Sequence, residues 1–154
     1  MGISILVVDD EEDFLETIVN RLKRRKLAAD GVKTGEAAIE KIKSGNYDVV
    51  LLDVKIPGGM DGLETLNAIK KINPLTEIIL LTGHASIETS IEGLKLGAFD
   101  YLLKPANFDE LLTKIANASD RKAEQDHKII KAKIHDLLHH PGTQDPGSPP
   151  DTKI

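Results

Sequence analysis

Cysteine and tryptophan are both absent from the 154 residues. The first absence excludes disulfides and thiolate metal sites, and it permits a reducing compartment. Aromatic residues amount to 3%, so a buried core has to be assembled from Leu, Ile, Val and Ala. At 40% hydrophobic content the chain holds enough of these for one core. No apolar window approaches the roughly 20 residues that a membrane-crossing helix requires. Nor does a basic region followed by a long apolar stretch precede Ile3. A cytoplasmic location without a membrane partner is therefore expected. Positive charge is also in short supply: the net charge is −5, with Asp and Glu spread along the chain. Direct nucleic-acid binding by a globular part of this composition is not expected.

What the chain does have is a series of short aliphatic runs at residues 3–8, 49–52, 78–81 and 101–103. Such runs read as strands buried on both faces of a parallel sheet. Between them the apolar residues take helical spacing: Phe14, Leu15, Ile18, Val19 and Leu22; Ala38, Ile39 and Ile42; Leu63, Leu66 and Ile69; Ile87, Ile91 and Leu94. Strand and helix alternate, which predicts an α/β domain. A further strand is required over residues 27–32, although Ala28, Ala29, Asp30 and Gly31 have poor β propensity.

Turn and cap residues punctuate the same pattern. Asp10 or Glu11 is placed to cap the first helix, whose end gathers Arg21, Lys23, Arg24, Arg25 and Lys26 where cations suit the helix dipole. Thr34 starts the second helix and Gly45 stops it; Asn73-Pro74 closes the third; Ser86 starts the fourth and Gly97 follows it. Asn107, with Glu110 three residues on, makes a capping-box-like start to a fifth helix through Leu111, Leu112 and Ile115.

The chemistry-bearing residues follow the runs directly: Asp9 and Asp10, then Asp53, Thr82 and Lys104. In an open parallel sheet, ligands bind beyond the carboxyl ends of the strands, where the winding order reverses. A cluster of carboxylates there repels an incoming phosphoryl group, so a cation must offset the charge. Oxygen donors without Cys or His suit a hard ion, and Mg²⁺ is the expected choice, with Ca²⁺ and Mn²⁺ also compatible. Lys104 brings a compact positive charge and Thr82 one hydroxyl donor. Phosphoryl transfer to Asp53 needs positioning and charge neutralisation, and no separate general base.

Five segments carry a resemblance: residues 5–11 (ILVVDDE), residues 50–57 (VLLDVKIP), Met60-Asp61-Gly62, Leu81-Thr82-Gly83-His84 and residues 97–105 (GAFDYLLKP). Together they resemble the receiver domain of bacterial two-component response regulators, over about residues 3–119. The resemblance implies a chemotaxis-type, flavodoxin-like (βα)5 fold, doubly wound, with five parallel strands in the order 2-1-3-4-5. It implies that Asp53 is phosphorylated by a sensor histidine kinase or a phosphotransfer protein. It also implies metal ligation by Asp10, Asp53 and the Lys55 carbonyl, with Asp9 acting through water or a hydrogen bond. A cis peptide at Lys104-Pro105 and a Thr82–Tyr101 switch are implied too. That switch acts on a face made by the fourth helix, fifth strand and fifth helix, which serves a downstream protein target or a homodimer. Lys55 and His84 fall where the family tunes the lifetime of the phosphorylated form. The stretch from Pro57 to Gly62 departs from the family pattern by one extra glycine.

Beyond residue 119 the composition shifts. Residues 120–140 mix Arg121, Lys122, Lys128, Lys131 and Lys133 with Glu124 and Asp126, and set Ile130, Ile134, Leu137 and Leu138 at helical spacing. A helical extension is expected there. His135, His139 and His140 lack the carboxylate or thiol that would complete a metal site, and a solvated helix end fits them better. Residues 141–154, rich in Pro and Gly, read as a flexible tail. Three domains of sequence follow: a receiver-like region to residue 119, the extension, and the tail. The last two are too short for a DNA-binding, ATPase or cyclase output domain. The reading is a stand-alone receiver that is labelled stoichiometrically and is not a turnover enzyme; a fragment of a longer regulator is the alternative. A Mg²⁺-dependent phosphohydrolase with an aspartyl intermediate, of the haloacid-dehalogenase type, calls for an acid two residues after the nucleophile. Here that residue is Lys55.

Overall fold

Aliphatic runs and amphipathic stretches alternate along the chain, and in the computed structural model each becomes one element. The structure describes residues 2–56, 58–83 and 87–139. In chain order the elements are β1 (Ser4–Val8), α1 (Glu12–Arg24), β2 (Ala28–Val32), α2 (Gly35–Ser44), β3 (Val49–Asp53), α3 (Gly62–Ile72), β4 (Glu77–Thr82), α4 (Ile87–Lys95), β5 (Asp100–Leu103) and α5 (Phe108–His139). The strands form one parallel sheet in the order β2-β1-β3-β4-β5, the flavodoxin-like arrangement that the sequence resemblance implied.

Successive strand residues point to opposite faces, so each run feeds two core layers. Ile5, Val7, Leu51 and Ile79 pack with Leu15, Ile18 and Leu22 of α1 and with Leu111 and Ile115 of α5. Leu6, Val8, Leu52 and Leu80 pack with Ile42 of α2 and with Leu66 and Ile69 of α3. A strand buried on both faces cannot alternate polar and apolar residues, hence the unbroken aliphatic runs.

Most helix starts follow the cap chemistry. Thr34 accepts the Ala37 N–H at 3.1 Å, and the Asn107 side chain accepts the Glu110 N–H at 3.0 Å. Gly97 takes φ +111°, a left-handed conformation that glycine adopts without strain, just after α4. The start of α1 differs from expectation. Glu11 occupies the cap position but its side chain makes no capping bond. The buried Asp9 takes the Glu11 N–H at 2.9 Å, so the acid that orders this turn lies two residues earlier. Ser86, Pro57, His140 and the 141–154 tail lie outside the described residues.

The α3 start carries a reciprocal box: Asp61 accepts the Glu64 N–H at 2.8 Å while Glu64 accepts the Asp61 N–H at 3.1 Å. Asp61→Ala is expected to cost about 1 kcal/mol, and Asp61→Asn to recover most of it because an acceptor remains. Calorimetric Tm of the two variants checks this.

The chain divides into two units, residues 1–122 and residues 123–154, so residues 120–122 join the first unit rather than the extension. Two ion pairs account for that position. Arg121 Nε lies 2.8 Å from Glu77 Oε2, and Lys122 Nζ lies 3.4 Å from Asp48 Oδ1, at the amino-terminal end of the sheet. Glu77 is 4% exposed and also meets Lys70 at 3.1 Å, so its buried charge is paired twice. In the second unit, residues 123–139 are the helical part. Among the described residues, no helix is long and apolar enough to cross a membrane.

Candidate functional site

β1 and β3 are neighbours, with Val8 paired to Leu52, so the residues that end them emerge side by side. Asp9, Asp10 and Asp53 each offer a carboxylate oxygen, and the three oxygens lie within 4.8 Å of one another. The Asp9 side chain is 1% exposed and that of Asp53 13%, while Asp10 faces solvent. Carboxylates this close, one buried and one partly buried, demand positive charge.

Lys104, from the end of β5, supplies it. Its Nζ lies 2.5 Å from Asp9 Oδ2 and 3.4 Å from Asp53 Oδ2. Lys104 is thus shared, and its nearer partner is Asp9, the more deeply buried of the two acids. The Lys55 N–H donates to Asp53 Oδ1 at 3.1 Å, which holds the second Asp53 oxygen in the turn after β3. Burial pushes the Asp53 pKa up, and the Asp9 charge adds to the rise; together they outweigh Lys104 and the Lys55 N–H, which lower it. For Lys104, burial lowers the pKa, but Asp9 and Asp53 more than compensate and the ammonium is favoured. The lysine is therefore held as the ammonium, whereas burial and the Asp9 charge disfavour the ionised form of Asp53.

Thr82 ends β4 fully buried, and its hydroxyl donates to the Gly83 carbonyl at 3.0 Å. The Lys104 N–H donates to the Thr82 carbonyl at 2.7 Å, tying the two strand ends together. Tyr101 pairs with Leu80 in the ladder and is half-buried against the layer that contains Leu66 and Leu80. The Lys104-Pro105 peptide is cis. Asp10, Val54, Lys55, Ile56, Asp61, Leu63 and Thr89 line a cleft of about 520 Å³ beside the acids. His84 lies outside the described residues.

One contact has no signal in the sequence. Lys104 Nζ sits 4.3 Å from the centroid of the Phe14 ring, within cation–π range, although 90 positions separate the two residues. The α1 cations also do more than complement a dipole: the Arg21 guanidinium lies 4.0 Å over the Phe108 ring, and Arg25 reaches Asp109 at 3.9 Å. Both tie α1 to the start of α5.

An all-oxygen cluster of carboxylates at the carboxyl end of β1 and β3 fits a hard divalent cation. The family model of the response regulator receiver domain matches residues 5–116. The chain belongs to this family. Among curated relatives, the transcriptional regulatory protein ZraR of Escherichia coli (strain K12) is 37% identical over 117 residues, 76% of this chain and 26% of that protein. The putative response regulator NtrX-like protein of Rickettsia bellii is 37% identical over 140 residues, 87% of this chain and 28% of that protein. A solved receiver domain from Clostridium thermocellum is 34% identical with a TM-score of 0.76, covering 80% of this chain and 98% of that one. The receiver domain is therefore of the two-component response regulator class, and the chain spans little more than a quarter of these curated relatives' length.

Proposed function

We propose that this receiver domain is a phosphoacceptor, with Asp53 taking a phosphoryl group from a phosphohistidine on a sensor histidine kinase or a phosphotransfer protein. The observation that carries the reading is the convergence of three carboxylate oxygens within 4.8 Å, with a single ammonium bridging two of the acids. The residues fit Mg²⁺, held by Asp10, Asp53 and the Lys55 carbonyl, with Asp9 supporting through a hydrogen bond or water. When bound, such an ion neutralises charge on the phosphoryl oxygens.

An Asp53 carboxylate oxygen attacks phosphorus in line, the P–N bond to the donor histidine breaks, and that nitrogen keeps the electron pair. Lys104 moves from carboxylate to phosphoryl oxygen without changing its charge. Thr82 exchanges its bond to the Gly83 carbonyl for one to another phosphoryl oxygen, which withdraws the hydroxyl from its present place. Tyr101 occupies the space this frees, and the α4–β5–α5 face changes for a downstream protein, whether separate or on the same chain. Lys55 and His84 flank the approach of hydrolytic water and set the lifetime. With Lys55 in place of an acid two residues after Asp53, labelling is stoichiometric and hydrolysis slow. A cytoplasmic setting suits a kinase donor.

Incubation with acetyl phosphate and Mg²⁺, followed by intact mass, tests the reading. One phosphoryl adduct that disappears when a chelator is present throughout is expected. No adduct would leave a phosphorylation-independent binding module, and rapid steady hydrolysis of many phosphoesters would make the protein a phosphohydrolase.

A further inference from the structure

The Asp9 carboxylate acts in two directions. Its Oδ1 accepts the Glu11 N–H at 2.9 Å and so sets the turn into α1, whose cap residue makes no side-chain bond of its own. Its Oδ2 lies 2.5 Å from Lys104 Nζ. Phe14 stands in the first turn of that helix, and the same ammonium lies 4.3 Å from the centroid of its ring. Asp9, the α1 turn, the Phe14 ring and Lys104 therefore close a circuit, in which one carboxylate places both the ring and the cation that meets it. Asp53 Oδ2, at 3.4 Å, is the looser partner of the ammonium. We propose that Phe14 is a positioning residue for phosphoryl transfer. Its ring face holds the Lys104 ammonium beside the acids while that ammonium passes from the Asp53 carboxylate to a phosphoryl oxygen. This role rests on the phosphoacceptor reading of Asp53.

The task suits an aromatic wall. A lysine side chain is a flexible four-carbon stem that ends in three N–H donors. The backbone bond from the Lys104 N–H to the Thr82 carbonyl, at 2.7 Å, fixes only the base of that stem. The side chain is 22% exposed, so water competes for the ammonium. A carboxylate in the place of Phe14 would draw the cation more strongly, but it would cancel the charge that the phosphoryl group needs. A hydrocarbon wall would exclude water and attract nothing. The face of a benzene ring excludes water and attracts the cation through its quadrupole, without carrying a formal charge. Phe14 is only partly buried, at the margin of the layer that contains Ile5 and Val7, so packing alone would be served as well by leucine.

Two readouts separate this role from packing. The first does not depend on phosphorylation. In proton–carbon spectra the Lys104 ε-methylene protons, assigned by comparison with Lys104→Arg, are expected to lie upfield through the Phe14 ring current. Phe14→Leu should lose that shift and Phe14→Tyr keep it. The second readout is the initial rate of adduct formation with acetyl phosphate at saturating Mg²⁺. Phe14→Leu should label about fivefold more slowly than the parent, with the Mg²⁺ midpoint little changed, and Phe14→Tyr should restore the rate. Pentafluorophenylalanine, introduced at position 14 alone, keeps the shape of the ring and reverses its quadrupole. It should label no faster than Phe14→Leu, and it decides the matter if leucine disturbs α1. A parent without the upfield shift overturns the role of Phe14, and so does labelling at the parental rate by the fluorinated variant. A parent that takes no adduct removes the phosphoacceptor reading and this role with it, whereas a labelled parent with equally fast Phe14 variants removes this role alone.

Discussion

Asp53→Asn is expected to abolish the phosphoryl adduct and, in chelator, to make the protein more stable than its parent. The first effect follows from the loss of the nucleophilic oxygen anion. The second follows from the same crowding that defines the site: without a divalent ion, one ammonium pairs with the buried Asp9 and the partly buried Asp53 while Asp10 stands beside them. Burial raises the Asp53 pKa above its ordinary value of 3.8. The folded chain then holds that proton to higher pH than the unfolded chain does, so stability falls as pH rises through the folded pKa and the cost of the charge is complete above it. The amide removes this cost. The Tm advantage of Asp53→Asn, a few degrees near neutral pH, should shrink as the pH is lowered toward 3.8. Adding Mg²⁺ should reverse the order, because ligand binding stabilises by about 2.7 kcal/mol when the free ion is 100 times its dissociation constant, and the variant has lost a ligand. Thermal melts of both proteins across pH, with and without Mg²⁺, check the sign in each regime. If the adduct forms equally on the variant, the phosphoacceptor is another residue.

The aliphatic runs made the sheet legible because a doubly covered parallel strand has no other composition available. β2 was legible only through the alternation, and its position explains its weak propensity. A Cβ on Gly31 would lie 2.8 Å from Leu15 Cδ1 and 3.2 Å from Val19 Cγ2, so close packing of α1 on this edge strand favours a residue without a side chain. Small residues there serve the helix above, not the strand. The α1 cap is not legible from propensity, which looks at the residue before the helix, whereas the buried Asp9 reaches forward from the end of β1. The Asp61–Glu64 box was readable from its i, i+3 spacing, yet only Asp61 stood out, as part of a family motif, and Glu64 did not.

The site divides along similar lines. Asp9, Asp10, Asp53, Thr82 and Lys104 were legible because each ends a strand or follows one directly, and strand ends meet at a topological switch point. How Lys104 divides itself between Asp9 and Asp53 was not, since the choice depends on relative burial, a property of the folded chain. Its contact with Phe14 was out of reach for the same reason: α1 packs beside β5's carboxyl end through tertiary geometry, which no local spacing encodes.

Gly62→Ala is expected to be the most damaging single methyl that can be added near the site. Within a helix alanine is ordinarily the better residue by about 1 kcal/mol, so propensity alone forecasts a gain. Space forecasts the reverse. A Cβ on Gly62 would lie 2.4 Å from the Val54 carbonyl oxygen and 2.8 Å from both Val54 C and Val54 Cα. These are backbone atoms, which no rotamer change can move aside. Overpacking in a well-packed region costs about 1–3 kcal/mol when side chains can yield; against backbone a loss of about 3 kcal/mol or more is expected, or roughly 10 °C in Tm for a domain of this size. The damage should also reach the chemistry. Val54 leads directly into Lys55, whose N–H holds Asp53 Oδ1 at 3.1 Å and whose carbonyl is a proposed metal ligand, so Mg²⁺ affinity and labelling should fall with stability. Gly83→Ala is the matched control, because a Cβ there would meet nothing within 4 Å. Calorimetry on the two variants separates the explanations: equal, small changes in both would mean that the β3–α3 connection yields, and that its close approach to α3 does not position the Asp53 turn.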